Sequence, residues 1–499
     1  MPSFRLDREP WIPVEMISGH TTEVSLRDVF ADAENIRRLT GNPLEVAALM
    51  RLLLAIGLQV CNPKNDDEWI AAWKDRHAIV AGMAQYVADH AESFDLYDPN
   101  RPFSQHPKLT PGTKPLAVLE YDRAQGNNPV FLDASTEAAV LPIPSGAAAR
   151  ALLVNLSFGG SHPDKSNPLS SGKENTMYAG PLCARLIAIV EGEDLCKTLI
   201  LNLVVGKRAG PPSWIRAIPN KPGKAESDGP SDLYTRLTRF VRLLPSEDGQ
   251  FARSVALHMG EQVAGDEDIP SDPMIPMYLS RSDKKYKVLR LEPGKALWRS
   301  AGVLLCTRDR EDAKPIRALA QLAPHVAFGD FPRSEKVGLR VVGVAGNAQG
   351  PKTELWRDES LPFDLSIVTD EQKFNEALRA IELAESEGSA LRKRVYGFAM
   401  RYLQGAIPNP DKGDVAKLAD ELAPDLYDYW SAIAPRGESL AIAPVDELEW
   451  AAFVKKSAQT AFDIAMNRLP PSARRFHAEC SRNIDDATRS SIRKEKITS

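Results

Sequence analysis

Cysteine is scarce and scattered. The chain has five in 499 residues (Cys61, Cys183, Cys196, Cys306 and Cys480), with no C-x-x-C spacing among them. That excludes a disulfide framework and a cysteine-only structural zinc site, and it points to reduced thiols packed as small apolar groups in a cytoplasmic chain. Long apolar runs are also missing: stretches such as Ala147–Phe158 and Thr198–Val205 fall far short of the ~20 residues a membrane helix needs. The start, Met1-Pro-Ser-Phe-Arg-Leu-Asp-Arg-Glu-Pro-Trp11, lacks the apolar segment of a secretory signal. None of the eight histidines sits at metal-ligand spacing, and neither H-E-x-x-H, G-x-S-x-G nor the Walker phosphate loop occurs. The expectation is therefore no metal, no cofactor and no catalytic residue, although a triad assembled from distant positions stays open. Net charge is small as well. Against 67 Asp+Glu stand 62 Lys+Arg, for a formal charge of −5. This excludes a protein that coats nucleic acid by bulk charge. It leaves room for a basic patch on a neutral body, as a subunit of a larger assembly would need.

What is present reads as an ordinary globular protein of two to four domains, 43% hydrophobic and 26% charged. Trp11-Ile12-Pro13-Val14 forms an apolar anchor in what the two prolines, Pro10 and Pro13, limit to an edge strand. Leu26-Arg-Asp-Val-Phe30 opens a short amphipathic helix. Asn42-Pro43 starts a longer one, with Asn as N-cap and Pro at the first helical position, and Leu44, Ala47, Ala48, Arg51, Leu52, Ala55 and Ile56 share a face. A further helix is expected over Asp66–His90. Residues 105–365 are dense in Pro and Gly. Lys287–Leu291 and Leu339–Val344 are strand candidates there, and Gln125–Pro144, Ser157–Pro181 and Gly346–Leu355 are long loops of the functional kind. From about Asp370 the pattern becomes helical over Phe374–Leu403, Asp414–Ala432, Pro444–Arg468 and Pro471–Lys496, with short Pro/Gly connections. The expected fold class is α+β: a large irregular mixed α/β N-terminal domain over 1–366, then a C-terminal antiparallel four-helix bundle over 367–499.

Three features could carry function. Phe158-Gly159-Gly160 places a glycine pair after an apolar run. It is either a tight turn or a place where backbone approaches a partner too closely for a Cβ, as in a DNA minor groove. Asn347-Ala348-Gln349-Gly350 is either a plain hairpin tip or a projection whose amides replace base-pair hydrogen bonds. Basic segments (Arg281–Lys287, Arg392-Lys393-Arg394, Lys455-Lys456, Arg474-Arg475, Arg493–Lys496) are solvated faces by default. From Lys455 onward, however, ten Lys+Arg stand against five Asp+Glu in an acidic chain, which suits a phosphate track. His106, beside Pro107, reads as a packed or solvated loop residue rather than a base.

In order and spacing these elements resemble the large subunit (CasA) of Cascade, the type I-E CRISPR surveillance complex, over nearly the full length. The resemblance rests on Trp11–Val14 followed by Leu26–Phe30, the Leu44–Ile56 helix and Arg101-Pro-Phe-Ser-Gln105. It continues through Phe158-Gly159-Gly160, Ser213-Trp214-Ile215, Lys295-Ala-Leu-Trp298-Arg299, the Asn347–Gly350 tip and the helical C-terminus. It implies a non-catalytic antiviral-defence subunit that recognises the short PAM beside a DNA target, largely from the minor groove. Such a subunit helps open the duplex for R-loop formation and recruits a helicase–nuclease. By position, the glycine loop is Phe158, Gly159 and Gly160, and the wedge is Asn347, Ala348, Gln349 and Gly350. The basic finger falls on Arg253, and Phe131 docks the subunit near the 5′ end of the guide RNA. The Cys-rich zinc-like insert of some members is absent. Implied partners are the other Cascade subunits, the guide RNA, double-stranded target DNA and the helicase–nuclease, with no membrane. Arg392, Lys393, Arg394, Lys455, Lys456, Arg474 and Arg475 are the candidate phosphate track. The alternative is a hydrolase-like enzyme with a helical accessory domain, using some of His106, His162 and nearby carboxylates. A third reading is a helical scaffold with no nucleic-acid role.

Overall fold

Local sequence chemistry sets the first elements. In the computed structural model, which describes residues 2–110, 112, 114–120, 142–164, 166–170, 176–206, 208–264, 272–280, 282–308, 313–346, 353–405, 409–442 and 446–469, three strands come first. They are β1 (Ile12–Met16), β2 (Thr21–Val24) and β3 (Ile36–Leu39). The sheet order is β2-β1-β3, so β1 is central and not the edge strand its prolines suggest. The reason is register: β3 joins only from Val14, opposite Leu39, one residue past Pro13. Pro13 lies at the very start of that ladder, where its carbonyl accepts from Thr40 N at 2.9 Å and only its missing donor goes unused.

Helix α1 (Pro43–Val60) begins as its sequence dictates. The Asn42 side chain accepts from Leu44 N at 2.9 Å, and Pro43 takes the position where no donor is needed. This 18-residue helix has the length and apolarity of a membrane span, against the expectation that no such run is present. Yet 78% of it is buried inside the fold, and it packs against several helices and a sheet as the core helix. Its buried Arg51 meets Asp272 at 3.1 Å, which explains a cation on an apolar face.

The helix expected over Asp66–His90 is two, α2 (Asp66–Lys74) and α3 (Arg76–Asp89). They break at Asp75, whose φ of −97° and ψ of 18° leave helical geometry. Asn65 caps α2 by accepting from Glu68 N at 2.8 Å, and Glu68 accepts from Lys64 N at 2.9 Å in return. Further along come α4 (Ser145–Phe158), β4 (Leu186–Glu191), α5 (Leu195–Leu201), β5 (Arg239–Pro245) and β6 (Phe251–Met259). The long strands β7 (Gly338–Gly346) and β8 (Thr353–Pro362) close the set. Two three-stranded sheets result, Ile143–Pro144 with β6 and β5, and β8 with β7 and β4. The candidate Leu339–Val344 lies within β7, whereas Lys287–Leu291 contributes only its first residues, to a strand over Tyr286–Val288.

The chain forms two compact units. One runs to Pro293 and includes Val303–Thr369; the other joins Gly294–Gly302 to the chain from Asp370 onward. The second unit is helical: α6 (Glu371–Gln404), α7 (Lys412–Leu422), α8 (Tyr427–Gly437) and α9 (Glu447–Asn467). The single helix expected over Asp414–Ala432 is interrupted at Pro424, which cannot donate, and at Asp425 and Leu426, which take positive φ of 46° and 55°. The helix expected over Pro471–Lys496 lies outside the described residues. Small residues on α6 let large rings approach. Tyr429 donates to the Ala384 carbonyl and Trp450 to the Ala380 carbonyl, each at 2.8 Å, and a Cβ on Gly388 would lie 2.7 Å from Trp430. The segment Gly294–Gly302, left in the N-terminal domain by sequence, belongs here. Arg299 forks onto Glu385 at 2.7 and 3.0 Å and lies over the Trp430 ring, while Trp298 packs where only Gly437 leaves room.

Candidate nucleic-acid interface

Helix α4 runs out at the glycine pair. Carbonyls at a helix end have no partner within the helix and must find one elsewhere. Here Leu156 accepts from the Thr238 hydroxyl, Ser157 from Leu182 N at 2.8 Å, and Gly159 from Gly180 N at 2.7 Å. Arg239, the first residue of β5, adds the decisive brace. Its Nη2 donates to the Gly159 carbonyl at 2.9 Å and the Gly160 carbonyl at 3.0 Å, and its Nη1 donates to the Thr238 carbonyl at 3.0 Å. A cation at this end also suits the helix dipole.

Space, not handedness, requires Gly159. Its φ is −46°, which any residue can adopt, but a Cβ there would lie 2.6 Å from the Asn155 carbonyl oxygen and 3.0 Å from Arg239 Nη2. Gly180 is tighter still, with a Cβ 2.5 Å from the Ser157 carbonyl oxygen.

The expected glycine loop needs correction at its first two residues. The Phe158 ring is 1% exposed and closes the core at the end of α4, and Gly159 is buried beneath Arg239. The surface here is Gly160 and Ser161, half-buried, followed by exposed His162 and Pro163. His162 Nδ1 faces the Gly160 carbonyl at 3.2 Å. Partial desolvation and then the Arg239 charge push its imidazole below the ordinary histidine value, so it is neutral at pH 7.

Two side chains pin the next stretch of chain. Asp164 accepts from Met259 N at 2.6 Å and pairs with His258 Nδ1 at 3.0 Å, and Asn167 donates to the Met259 carbonyl at 3.2 Å. Beside Arg239 opens a cleft of about 390 Å³, lined among others by Tyr178, Arg185, Gly260, Gln262 and Arg290. Lys224 sits 5.2 Å from the Tyr178 ring centroid. An aromatic face among cations is a surface fit for nucleic-acid backbone and bases. Nothing in sequence spacing marks Arg239, Gly180, Asp164 or Tyr178. The one available signal was a pair of arginines, Arg239 and Arg242, inside the largely apolar run Leu237–Leu244.

Other expected site residues are not brought together here. Arg253 is exposed on β6, six residues before Met259 and so roughly 20 Å along the strand from the braced loop. The structure therefore does not bring Arg253 together with the braced glycines. Phe131, the wedge Asn347–Gly350, and Arg474 and Arg475 lie outside the described residues. The strands flanking the wedge are described: β7 and β8 pair antiparallel down to Gly346 opposite Thr353, so 347–352 connect them.

On the helical unit, Arg392, Lys393, Lys455 and Lys456 are exposed on α6 and α9. Arg394 is engaged elsewhere. It donates to Gln459 at 2.8 Å and lies over the Phe462 ring, joining α6 to α9. His106 is buried. Its Nε2 bonds the Pro219 carbonyl at 2.9 Å, leaving Nδ1 to accept from Lys108 N at 3.3 Å, and its ring lies against Phe240. Both nitrogens are thus committed to the fold, which removes the leading base of the hydrolase reading.

Comparison with known proteins accords with this architecture. The family model for CRISPR-associated protein Cse1 matches residues 6–466. The CRISPR-associated protein CasA/Cse1 of Thermus thermophilus is 27% identical over 455 residues, covering 87% of this chain and 86% of that protein. A crystal structure of Thermus thermophilus CasA superposes with a TM-score of 0.78 at 22% identity, covering 96% of this chain and 98% of that one. A chain of a CRISPR RNA-guided surveillance complex gives 0.76 at 21% identity, with 96% of this chain and 99% of that one covered. The chain belongs to the Cse1 (CasA) family, the large subunit of type I-E Cascade.

Proposed function

We propose that this chain is a non-enzymatic subunit that recognises the PAM in duplex DNA, helps open the first base pairs and recruits a helicase–nuclease. It assembles in the cytoplasm with other Cascade subunits and the 5′ end of a guide RNA, for which Phe131 is the docking residue by resemblance. The observation that carries the reading is the Arg239 brace. It holds the Gly159 and Gly160 carbonyls and leaves Gly160–Pro163 as an edge near a cleft that carries Arg185, Arg239, Arg290 and Tyr178 with one acid, Glu261. A minor groove about 6 Å wide admits such backbone where it would refuse side chains. The protein then reads a short, degenerate signal, and guide pairing reads the rest. Asn347 and Gln349 act as the wedge, and Arg392, Lys393, Lys455 and Lys456 guide phosphates.

The test is reconstitution with guide RNA and duplex target, with and without this chain. Omitting it should abolish PAM-dependent R-loop formation. Gly160→Asp should do the same with the assembly intact, because a carboxylate would face phosphates at the closest approach. Unchanged duplex binding by Gly160→Asp would overturn the glycine-loop role.

A further inference from the structure

We propose that Glu34, His77 and Cys196 form a binding site for one divalent transition-metal ion, zinc by the chemistry of its ligands. Glu34 lies in the turn before β3, His77 in the first turn of α3, and Cys196 in the first turn of α5. The Glu34 carboxylate, the His77 imidazole and the Cys196 thiol present donor atoms that all lie within 4.8 Å of one another. Backbone already gathers these segments, since Cys196 N donates to the Ala33 carbonyl at 3.2 Å. The Glu34 carboxylate and His77 Nδ1 are in direct contact.

One sulfur, one nitrogen and one oxygen are the mixed, borderline-soft set that zinc accepts. Tetrahedral zinc holds such atoms about 3.3–3.6 Å apart, so side-chain rotation alone could close the set. The thiol is buried at the base, while the Glu34 and His77 side chains are 59% and 54% exposed, which gives an ion an entry path and leaves a fourth position for water.

Two cations, Arg76 and Lys197, act on the Cys196 thiol beside Asp194 and Glu34, and both are also engaged by other groups. Lys197 is held by Glu193 and Glu335 at 3.1 and 2.7 Å, and Arg76 turns to the Trp73 carbonyl and ring. Binding displaces the Cys196 thiol proton to solvent as the sulfur–metal bond forms. The ion would clasp three segments far apart in sequence. The expectation of no metal rested on short spacing motifs, and positions 34, 77 and 196 make none.

The test uses the full-length, untagged chain, stripped with a chelator, incubated with zinc and freed of excess by gel filtration. About one zinc per chain should be retained. Cys196→Ala and His77→Ala should each weaken binding by at least about tenfold, while Cys306→Ala retains it. Added zinc should raise the melting temperature of the wild type and not of Cys196→Ala, whose metal-free melting shows that it folds. Cobalt should give a thiolate charge-transfer band that Cys196→Ala lacks. Zinc retention equal in wild type and Cys196→Ala, or no retention by the wild type, would overturn the proposal.

Discussion

Arg239 Nη2 lies 2.9 Å from the Gly159 carbonyl oxygen and 3.0 Å from that of Gly160, so one buried guanidinium sets the position of both glycines. Three carbonyls lose a charged donor if it is removed. The Gly159 carbonyl keeps its bond from Gly180 N and the Thr238 carbonyl its bond from Gly260 N, so what is lost is the charged donor, and hydrogen bonds to charged groups contribute about 1.5–3 kcal/mol. Arg239→Ala should therefore lower unfolding stability by about 2–3 kcal/mol in urea titrations. Binding of PAM-bearing duplex should fall much further than that of a pre-opened target, because only the duplex needs the braced edge. Arg239→Lys should lie between, since an ammonium cannot fork across two carbonyls. A wild-type response from Arg239→Ala on the duplex would separate the brace from recognition.

His106 offers a pH test of the interior. Burial holds its imidazole below the usual 6.5, with the Lys108 charge adding and the Pro219 carbonyl opposing. In the unfolded chain the ring takes up a proton as pH falls through about 6.5; in the folded chain it does so only at lower pH. The stability contribution is thus present above 6.5 and lost as pH falls toward the folded value. His106→Asn should reduce the difference in urea midpoint between about pH 8 and about pH 5.5. An unchanged difference would mean that the acid limb belongs to other groups.

How much was legible in the sequence depends on where each constraint acts. Asn42 caps α1 through a side chain two residues away, so its start could be placed closely, whereas the Asp370 cap of α6 was not read and that helix was begun at Phe374. The motifs behind the family resemblance are largely core. Gln105 donates to the Leu96 carbonyl at 2.7 Å and accepts from Leu243 N at 2.8 Å, and Trp298 packs on Gly437. A window of sequence contains no such partners. It could not show that Gly294–Gly302 packs with the helical unit, that β1 gains a second neighbour past Pro13, or that Phe158 turns inward. The same holds for Arg239, which acts on a loop about 80 residues earlier.

The helical unit separates a structural cation from solvated ones. Charge reversal of exposed Lys455 and Lys456 should leave folding intact. It should also flatten the dependence of target binding on salt, by roughly 0.9 in log–log slope for each phosphate no longer neutralised. Arg394→Ala should do the reverse. It removes the hydrogen bond to Gln459 and the packing on Phe462 that tie α6 to α9. It should cost about 1 kcal/mol of stability with little change in salt slope. An unchanged slope in the double reversal would remove these lysines from the phosphate track.

The wedge can be tested because β7 and β8, which flank it in sequence, pair in a fixed register up to Gly346 opposite Thr353. Opening a base-pair step forfeits stacking of about 1.4 kcal/mol on average. Amides that replace lost base-pair hydrogen bonds lower that barrier only while a duplex is being opened. The double variant Asn347→Ala with Gln349→Ala should therefore slow R-loop formation on an intact duplex by at least about tenfold, the effect of about one step of stacking. On a target already unpaired beside the PAM it should act almost as the wild type. A second duplex with weaker stacking at the first step should recover part of the loss, since less work is asked of the amides. Equal loss on intact and pre-opened targets would place these residues in binding rather than in opening.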